Sequence, residues 1–360
     1  MSLTAVVFDS GDKKRTRDFL ALPRRIYSAG ELTQSPAEEL ALLNGTHILS
    51  RYFTVAPILI YRGKRAVSRA AVTFYPNDST AYVGFFESEN DSEAAALLFE
   101  TAAETAAKNG GVKLTGPVDC SFWIKYRLKT NRFGIQNMSP YTGEPYNKEY
   151  YADLWYENGF EVIMRYTSNH YKIVENDDGC EKFAARLAEK LNAGYTIKSP
   201  DNETFDKTLR EVYSLMIELY SSFPVFKRIT EEDFCRLNDH LRHILNYSMV
   251  KMAYFEGAPV GFFISVPNYG NRVYGRLDPL KTLRILKEKR RPNSYVLPYL
   301  GVDKNHPGLG SAISEVVRRE LKKQRVPSIG ALYREGSLSK GYMRQIRDFE
   351  YEYVLLEKPI

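Results

Sequence analysis

One order of elements is written twice into this chain of 360 residues. TAVVFDS reads as a strand, and Asp12 to Tyr27 as a helix with Phe19, Leu22 and Ile26 at helical spacing. APILIYRGKRAVSRAAVTFYP reads as a hairpin turning at Arg62-Gly63-Lys64, and AYVGFFES as the next strand. Asn90, Asp91 and Ser92 supply cap chemistry for a helix from Ala94 to Lys108, which Asn109-Gly110-Gly111 stops. VKLTGP is a strand, Asn147 to Asn158 an aromatic helix, and FEVIMRYTSNHYKI a closing strand or hairpin. VENDDG, at 174–179, has the composition of a linker.

After the linker the order restarts. CEKFAARLAEKLNAG is a helix, YTIKSP a strand, and TFDKTLREVYSLMIELY and TEEDFCRLNDHLRHIL two more helices. MVKMAYFEG and APVGFFISV form a hairpin around Glu256-Gly257. SYVLPYLGV is a strand, SAISEVVRRELKKQ a helix, SIGALY a strand, SLSKGYMRQIRDF a helix and YEYVLLEK the last strand. Two long units fall short of a solenoid, so the expectation is two tandem copies of one α/β (α+β) architecture. The expected domains are 1–177 and 178–360, each a mixed, mostly antiparallel sheet flanked by helices. The length suits two domains of ordinary size.

Composition narrows the partners. The net charge of +6 and pI near 8.9 suit an anionic ligand without demanding nucleic acid. The dense basic run Arg284, Lys287, Lys289, Arg290 and Arg291 reads as a solvated helix face. Cys120, Cys180 and Cys235 are odd in number and widely spaced, which argues against a disulfide framework or a zinc site and for a reducing compartment. MSLTAVVFDSGDKK has no apolar signal core and no stretch approaches a membrane span, so a cytoplasmic protein without membrane association is expected.

The segment with the most chemistry is YVLPYLGVDKNHPGLGSAISEVVRRE, at 295–320. A β-rich strand ends at Val302, and a loop with Gly308 and Gly310 opens directly into a helix with Ser311 at its start. Glycines let backbone N–H groups close on an anion, and the helix N-terminus adds unpaired donors and a partial positive charge. No Lys-Ser/Thr follows the glycines, which disfavours a P-loop, and the loop does not spell GxGxxG.

Asn305, His306, Pro307, Gly308, Leu309 and Gly310 resemble the pyrophosphate-binding motif of the GNAT acetyltransferases, with Asn305 in place of the usual Arg or Gln. The resemblance implies acetyl-CoA or another acyl-CoA as cosubstrate, held by the loop from Asn305 to Ser311. It implies that the strand ending at Val302 is splayed from Ser328 to Tyr333, so that Leu300 and Val302 pair with the pantetheine amides. It also implies direct attack by an amine, with Tyr342 protonating the thiolate and Tyr333 as the alternative acid. No base is assigned: Glu256 reads as a turn residue, and Asp303 lies on the phosphate side.

FLALPRRIY, VGFFESENDSEAAALLFETAAETAAKNG, LTGPVDCS, PYNKEYYADLWYENGF and the stretch from NRVYGRLDPL to LGVDKNHPGLG resemble, in order, a bacterial family of tandem GNAT-like proteins of uncertain substrate. NRFGIQN, at 131–137, stands where that family often has Gly-Phe-Asp. In the first half the equivalent loop, ESENDSEAA, has no glycine and carries Glu87, Glu89, Asp91 and Glu93, which would repel a diphosphate. That half is expected to have lost CoA binding, with Asn147, Tyr150 and Tyr151 as candidates for a substrate pocket. His240 and His243 have zinc spacing without further ligands, so no metal is expected. Cys120 has no evident His partner and reads as a buried thiol.

The function implied is N-acyl transfer (EC 2.3.1.-) from an acyl-CoA to an amine of a small molecule or peptide, by a monomer or homodimer. The alternatives are a peptidoglycan-type transferase using aminoacyl-tRNA, the one case that brings in nucleic acid, and a non-catalytic protein that binds CoA or another ligand.

Overall fold

The computed structural model describes residues 2–131, 139–176, 180–275 and 278–360. It forms two compact units: Met1–Arg165 with Tyr274–Arg276 and Glu352–Ile360, and Tyr166–Val273 with Leu277–Tyr351. The boundary expected at 177/178 is therefore displaced. Part of the expected linker (177–179) and most of NRFGIQN lie outside the described residues. Two exchanged strand segments cause the displacement: residues 166–171 pair with Ser328–Arg334 in the second unit, and a strand from the far end of the chain completes the first unit's sheet.

In the first unit, strand β1 (Leu3–Val7) leads into helices α1 (Lys13–Ala21), α2 (Pro23–Ile26) and α3 (Pro36–Leu43). Strands β2 (Thr54–Arg62), β3 (Arg65–Phe74) and β4 (Thr80–Ser88) form an antiparallel meander. Helix α4 (Ser92–Lys108) crosses over to β5 (Lys113–Gly116), parallel to β4. Short strands β6 (Val118–Asp119), β7 (Lys125–Tyr126) and β8 (Leu128–Lys129), helix α5 (Tyr151–Glu157) and the start of β9 (Glu161–Tyr171) follow. Asp91 caps α4 by accepting from the Ala94 amide, as its sequence position predicts. Ala94, Leu98, Phe99, Ala102 and Ala106 form the buried stripe of α4, and Phe86, Phe99, Trp155 and Phe160 pack ring on ring beneath it.

The second unit opens with α6 (Glu181–Asn192), β10 (Thr196–Lys198), α7 (Phe205–Leu219), α8 (Glu231–Asn238) and α9 (Leu241–Ile244). Strands β11 (Val250–Phe255) and β12 (Ala258–Pro267) form the expected hairpin, with Glu256 (φ 50°) and Gly257 (φ 81°) left-handed in its tight turn. Then come α10 (Pro279–Arg290), β13 (Tyr295–Val302), α11 (Leu309–Gln324), β14 (Ser328–Arg334) and β15 (Arg347–Pro359). The sheet order in this unit is β10-β11-β12-β13-β14-β9, parallel only at β13/β14. Residues of β15 from Glu352 onward belong to the first unit, where Leu356 pairs with Gly116 and Glu357 with Thr115.

SLSKGYMRQIRDF is not an α-helix. It forms two 3₁₀ turns, Leu338–Gly341 and Arg344–Ile346, and then enters β15. Gly341 sits where a helix interior would be, and the Ile346 carbonyl is taken by the Lys172 amide at 2.9 Å. Among the described residues no helix is long and apolar enough to cross a membrane.

Candidate functional site

The two units carry the same V-shaped opening between their parallel strands and treat it differently. In the second unit β13 and β14 pair only from Tyr295–Ser328 to Leu297–Gly330. Pro298, the next residue of β13, has no N–H to continue the ladder. Beyond it β13 stays paired with β12 as far as Val302. The Asp303 amide donates to the Val260 carbonyl at 3.0 Å, which fixes the alternation. Residues 299, 301 and 303 bond to β12, so the backbone groups of Leu300 and Val302 point to the other side, into the opening.

At the end of β13, Asp303 organises the loop. Its carboxylate accepts from the Asn305 amide (2.8 Å) and its carbonyl from the His306 amide (3.0 Å). Gly308 then turns left-handed (φ 81°) as the N-cap of α11. The amides of Gly308, Gly310 and Ser311 make no hydrogen bond among the described residues. These are the unspent donors of a sixteen-residue helix, at its positive end. The Arg186 side chain from α6 lies against Gly308, where a Cβ would come within 2.8 Å of its Cδ and Nε. The Tyr342 hydroxyl lies over Gly310, 3.0 Å from where a Cβ would be, with its ring edge-on to Phe183.

The structure thus brings Leu300, Val302, Gly308, Gly310, Ser311 and Tyr342 to one end of the sheet. It removes three expected donors from the cradle: the Asn305 and His306 amides are spent on Asp303, and the Leu309 amide on the His306 carbonyl (3.2 Å) with the Leu309 side chain fully buried. His306 faces aromatic neighbours, its Nδ1 2.8 Å from the Tyr195 hydroxyl and its ring edge-on to Phe255. Tyr333 packs its hydroxyl over Gly330 and beside Tyr171, and burial holds its proton well above the ordinary tyrosine value. Arg186 is the residue that sequence reasoning missed; in an amphipathic helix it has the signature of any solvated arginine.

In the first unit β4 and β5 separate after Tyr82–Thr115, but β6 fills the gap. A Cβ on Gly84 would lie 2.0 Å from the Val118 carbonyl oxygen, and the Phe85 amide already donates to Asp119 Oδ1 at 2.6 Å. Gly84→Ala is accordingly expected to destabilise this unit by about 1–3 kcal/mol through overpacking. Both tryptophans, Trp123 and Trp155, lie in this unit, so urea unfolding followed by their fluorescence measures the change.

The acidic loop of this unit is spent on internal partners. Glu89 pairs with Arg65 (2.6 Å), and Arg62 with both Asp91 (2.7 Å) and Glu93 (3.3 Å). Glu87 accepts from Gln34 (2.5 Å) and Tyr151 (2.8 Å), and burial raises its pKa. Asn147 and Tyr151 line a polar pocket of this unit together with Arg69, Glu87 and Asp119. Tyr150 instead donates to the Ser88 carbonyl at 2.8 Å. Burial likewise raises the Cys120 thiol far out of the reactive range. Among the described residues no group of three or more His, Cys, Asp or Glu is placed to hold a metal ion.

Solved structures similar over the whole chain include a tandem GNAT protein from the clavulanic acid biosynthesis pathway. Its TM-score is 0.54 at 13% identity, with 99% of this chain and 98% of that one covered. The fold is that of a tandem GNAT protein. A GCN5-related N-acetyltransferase from Kribbella flavida matches at TM-score 0.50 and 10% identity, covering 99% of this chain and 71% of its own. A probable N-acyltransferase from Enterococcus faecalis V583 matches at TM-score 0.50 and 9% identity, covering 100% and 73%. No family model matches the sequence. Protein YghO of Escherichia coli (strain K12) is 22% identical over 217 residues, 58% of this chain and 53% of that protein. The chain thus spans about half the length of the curated relative it matches. In tandem GNAT terms, the first unit's β4 and the second unit's β13 are equivalent strands, one covered by β6 and the other open.

Proposed function

We propose that the second unit binds an acyl-CoA and transfers its acyl group to a primary amine. The observation that carries this reading is the free donor set at the start of α11, beside an unpaired strand edge. The amides of Gly308, Gly310 and Ser311, with Arg186 alongside, suit a diphosphate. Leu300 and Val302 offer backbone groups for the amides of a pantetheine arm, which would add to the edge as a strand does. The first unit offers neither, since the Asp91 carboxylate occupies the start of α4 and Asp119 and Val118 occupy the strand edge.

In this reading the amine attacks the thioester carbonyl and gives up its proton to water, the tetrahedral intermediate collapses with cleavage of the C–S bond, and the departing thiolate takes a proton. Tyr342, half-buried beside Gly310, is the acid; Tyr333 is disfavoured by the burial that holds its proton. Calorimetry of the full chain with acetyl-CoA tests the binding half, and micromolar affinity is expected. No binding at millimolar ligand would turn the reading to an aminoacyl-tRNA donor or to a non-catalytic ligand-binding role. For the chemical half, Tyr342→Phe is expected to slow thiol release with a reactive amine by about 10²-fold or more while leaving acetyl-CoA affinity unchanged. A rate within twofold of the parent would remove Tyr342 from the chemistry.

A further inference from the structure

The acyl-transfer reading leaves helix α10 unexplained. Its inner side is anchored: Ile285 is buried, and Glu288 accepts from Asn293 (2.9 Å) and pairs with Arg272 (3.3 Å). Its outer side exposes Leu280 by 59%, Leu283 by 64% and Leu286 by 47%. Arg284, Lys287 and Arg290 are exposed between them and have no ion-pair partner among the described residues. At roughly 100° per residue these six side chains share an arc of about 160° on a helix about 18 Å long. Arg291, the exposed C-cap residue, also without an ion-pair partner among the described residues, extends the charge past the last turn. A solvated face would carry the charges without the leucines.

We propose that this face of α10 docks on an anionic lipid bilayer, the leucines entering the headgroup boundary and the cations meeting lipid phosphates. Charge complementarity selects this occupant. A second copy would set the same cations against themselves across a two-fold axis. A nucleic acid would use the cations but leave three exposed leucines without a role.

Vesicle flotation of the full chain tests the proposal, with phosphatidylcholine vesicles set against vesicles containing about one third phosphatidylglycerol. Binding is expected to the anionic vesicles alone and to weaken with salt. Leu283→Glu should lower it about tenfold or more, and the pair Arg284→Ser and Lys287→Ser by a similar factor. Both variants alter only exposed side chains, so circular dichroism and acetyl-CoA affinity should match the parent. Equal binding to neutral vesicles, no binding to either, or full binding by Leu283→Glu would overturn the proposal. So would a dimer that Leu283→Glu dissolves, or tRNA binding that the Arg284/Lys287 pair abolishes while vesicles are ignored.

Discussion

Replacing Gly308 with glutamate is expected to reduce acetyl-CoA affinity by about 100-fold or more, roughly 2.7 kcal/mol. Three effects act together. A Cβ at this position meets the Arg186 side chain within 2.8 Å, so either the arginine or the loop must shift. The backbone there is left-handed at φ 81°, which costs a non-glycine residue about 1 kcal/mol. The new carboxylate also occupies the positive end of α11, where the free amides of Gly310 and Ser311 would otherwise meet phosphate. Arg186→Ala separates charge from shape: it leaves the loop intact and should cost about tenfold, the worth of one charge-assisted contact. Circular dichroism must show α11 retained in both variants. A folded Gly308→Glu protein that binds acetyl-CoA as the parent does would place the ligand elsewhere.

The order of elements was legible because each repeat punctuates itself. Asp91 before an alanine-rich stripe predicts where α4 starts, and Glu256-Gly257 between alternating apolar runs predicts the β11–β12 turn. The glycine loop was legible too, since Gly308 and Gly310 between a strand and a helix restrict what the backbone is doing there. What stayed hidden depends on partners distant in sequence. Nothing local in YEYVLLEK says that its end pairs with LTG some 240 residues earlier, and nothing local in YTSNHY says that it pairs with β14, so neither exchange that moves the domain boundary could be read. Nothing local in ESENDSEAA says that Arg62 and Arg65 neutralise its carboxylates, or that Asp119 reaches across to the Phe85 amide. SLSKGYMRQIRDF shows the same limit from the other side. Its apolar spacing suits a helix, but Gly341 and the tie from Lys172 to Ile346 favour short turns.

Arg69→Met is expected to destabilise the first unit by about 3–5 kcal/mol, the cost of breaking a buried ion pair by removing one member. Arg69 is fully buried. Its guanidinium meets both oxygens of Glu39 (2.8 and 3.0 Å), donates to the Phe19 carbonyl (2.8 Å) and stacks over the Phe19 ring. Glu87 stands 3.9 Å away, so losing Arg69 takes from two carboxylates in a low-dielectric interior the cation they share, with Lys125 left as the cation acting on Glu87. Urea unfolding followed by Trp123 and Trp155 fluorescence reports this unit alone. Adding Glu39→Gln to Arg69→Met should recover part of the loss, and the double-mutant cycle gives the coupling. The pH dependence supplies a second check. Burial raises the folded-state pKa of Glu87 above 4.5, so its contribution to stability is present at low pH and lost as pH rises through the folded value. Without Arg69 that pKa climbs further, and the deficit should shrink as pH falls toward the ordinary glutamate value. A deficit independent of pH would mean that the arginine acts through packing on Phe19 rather than through charge.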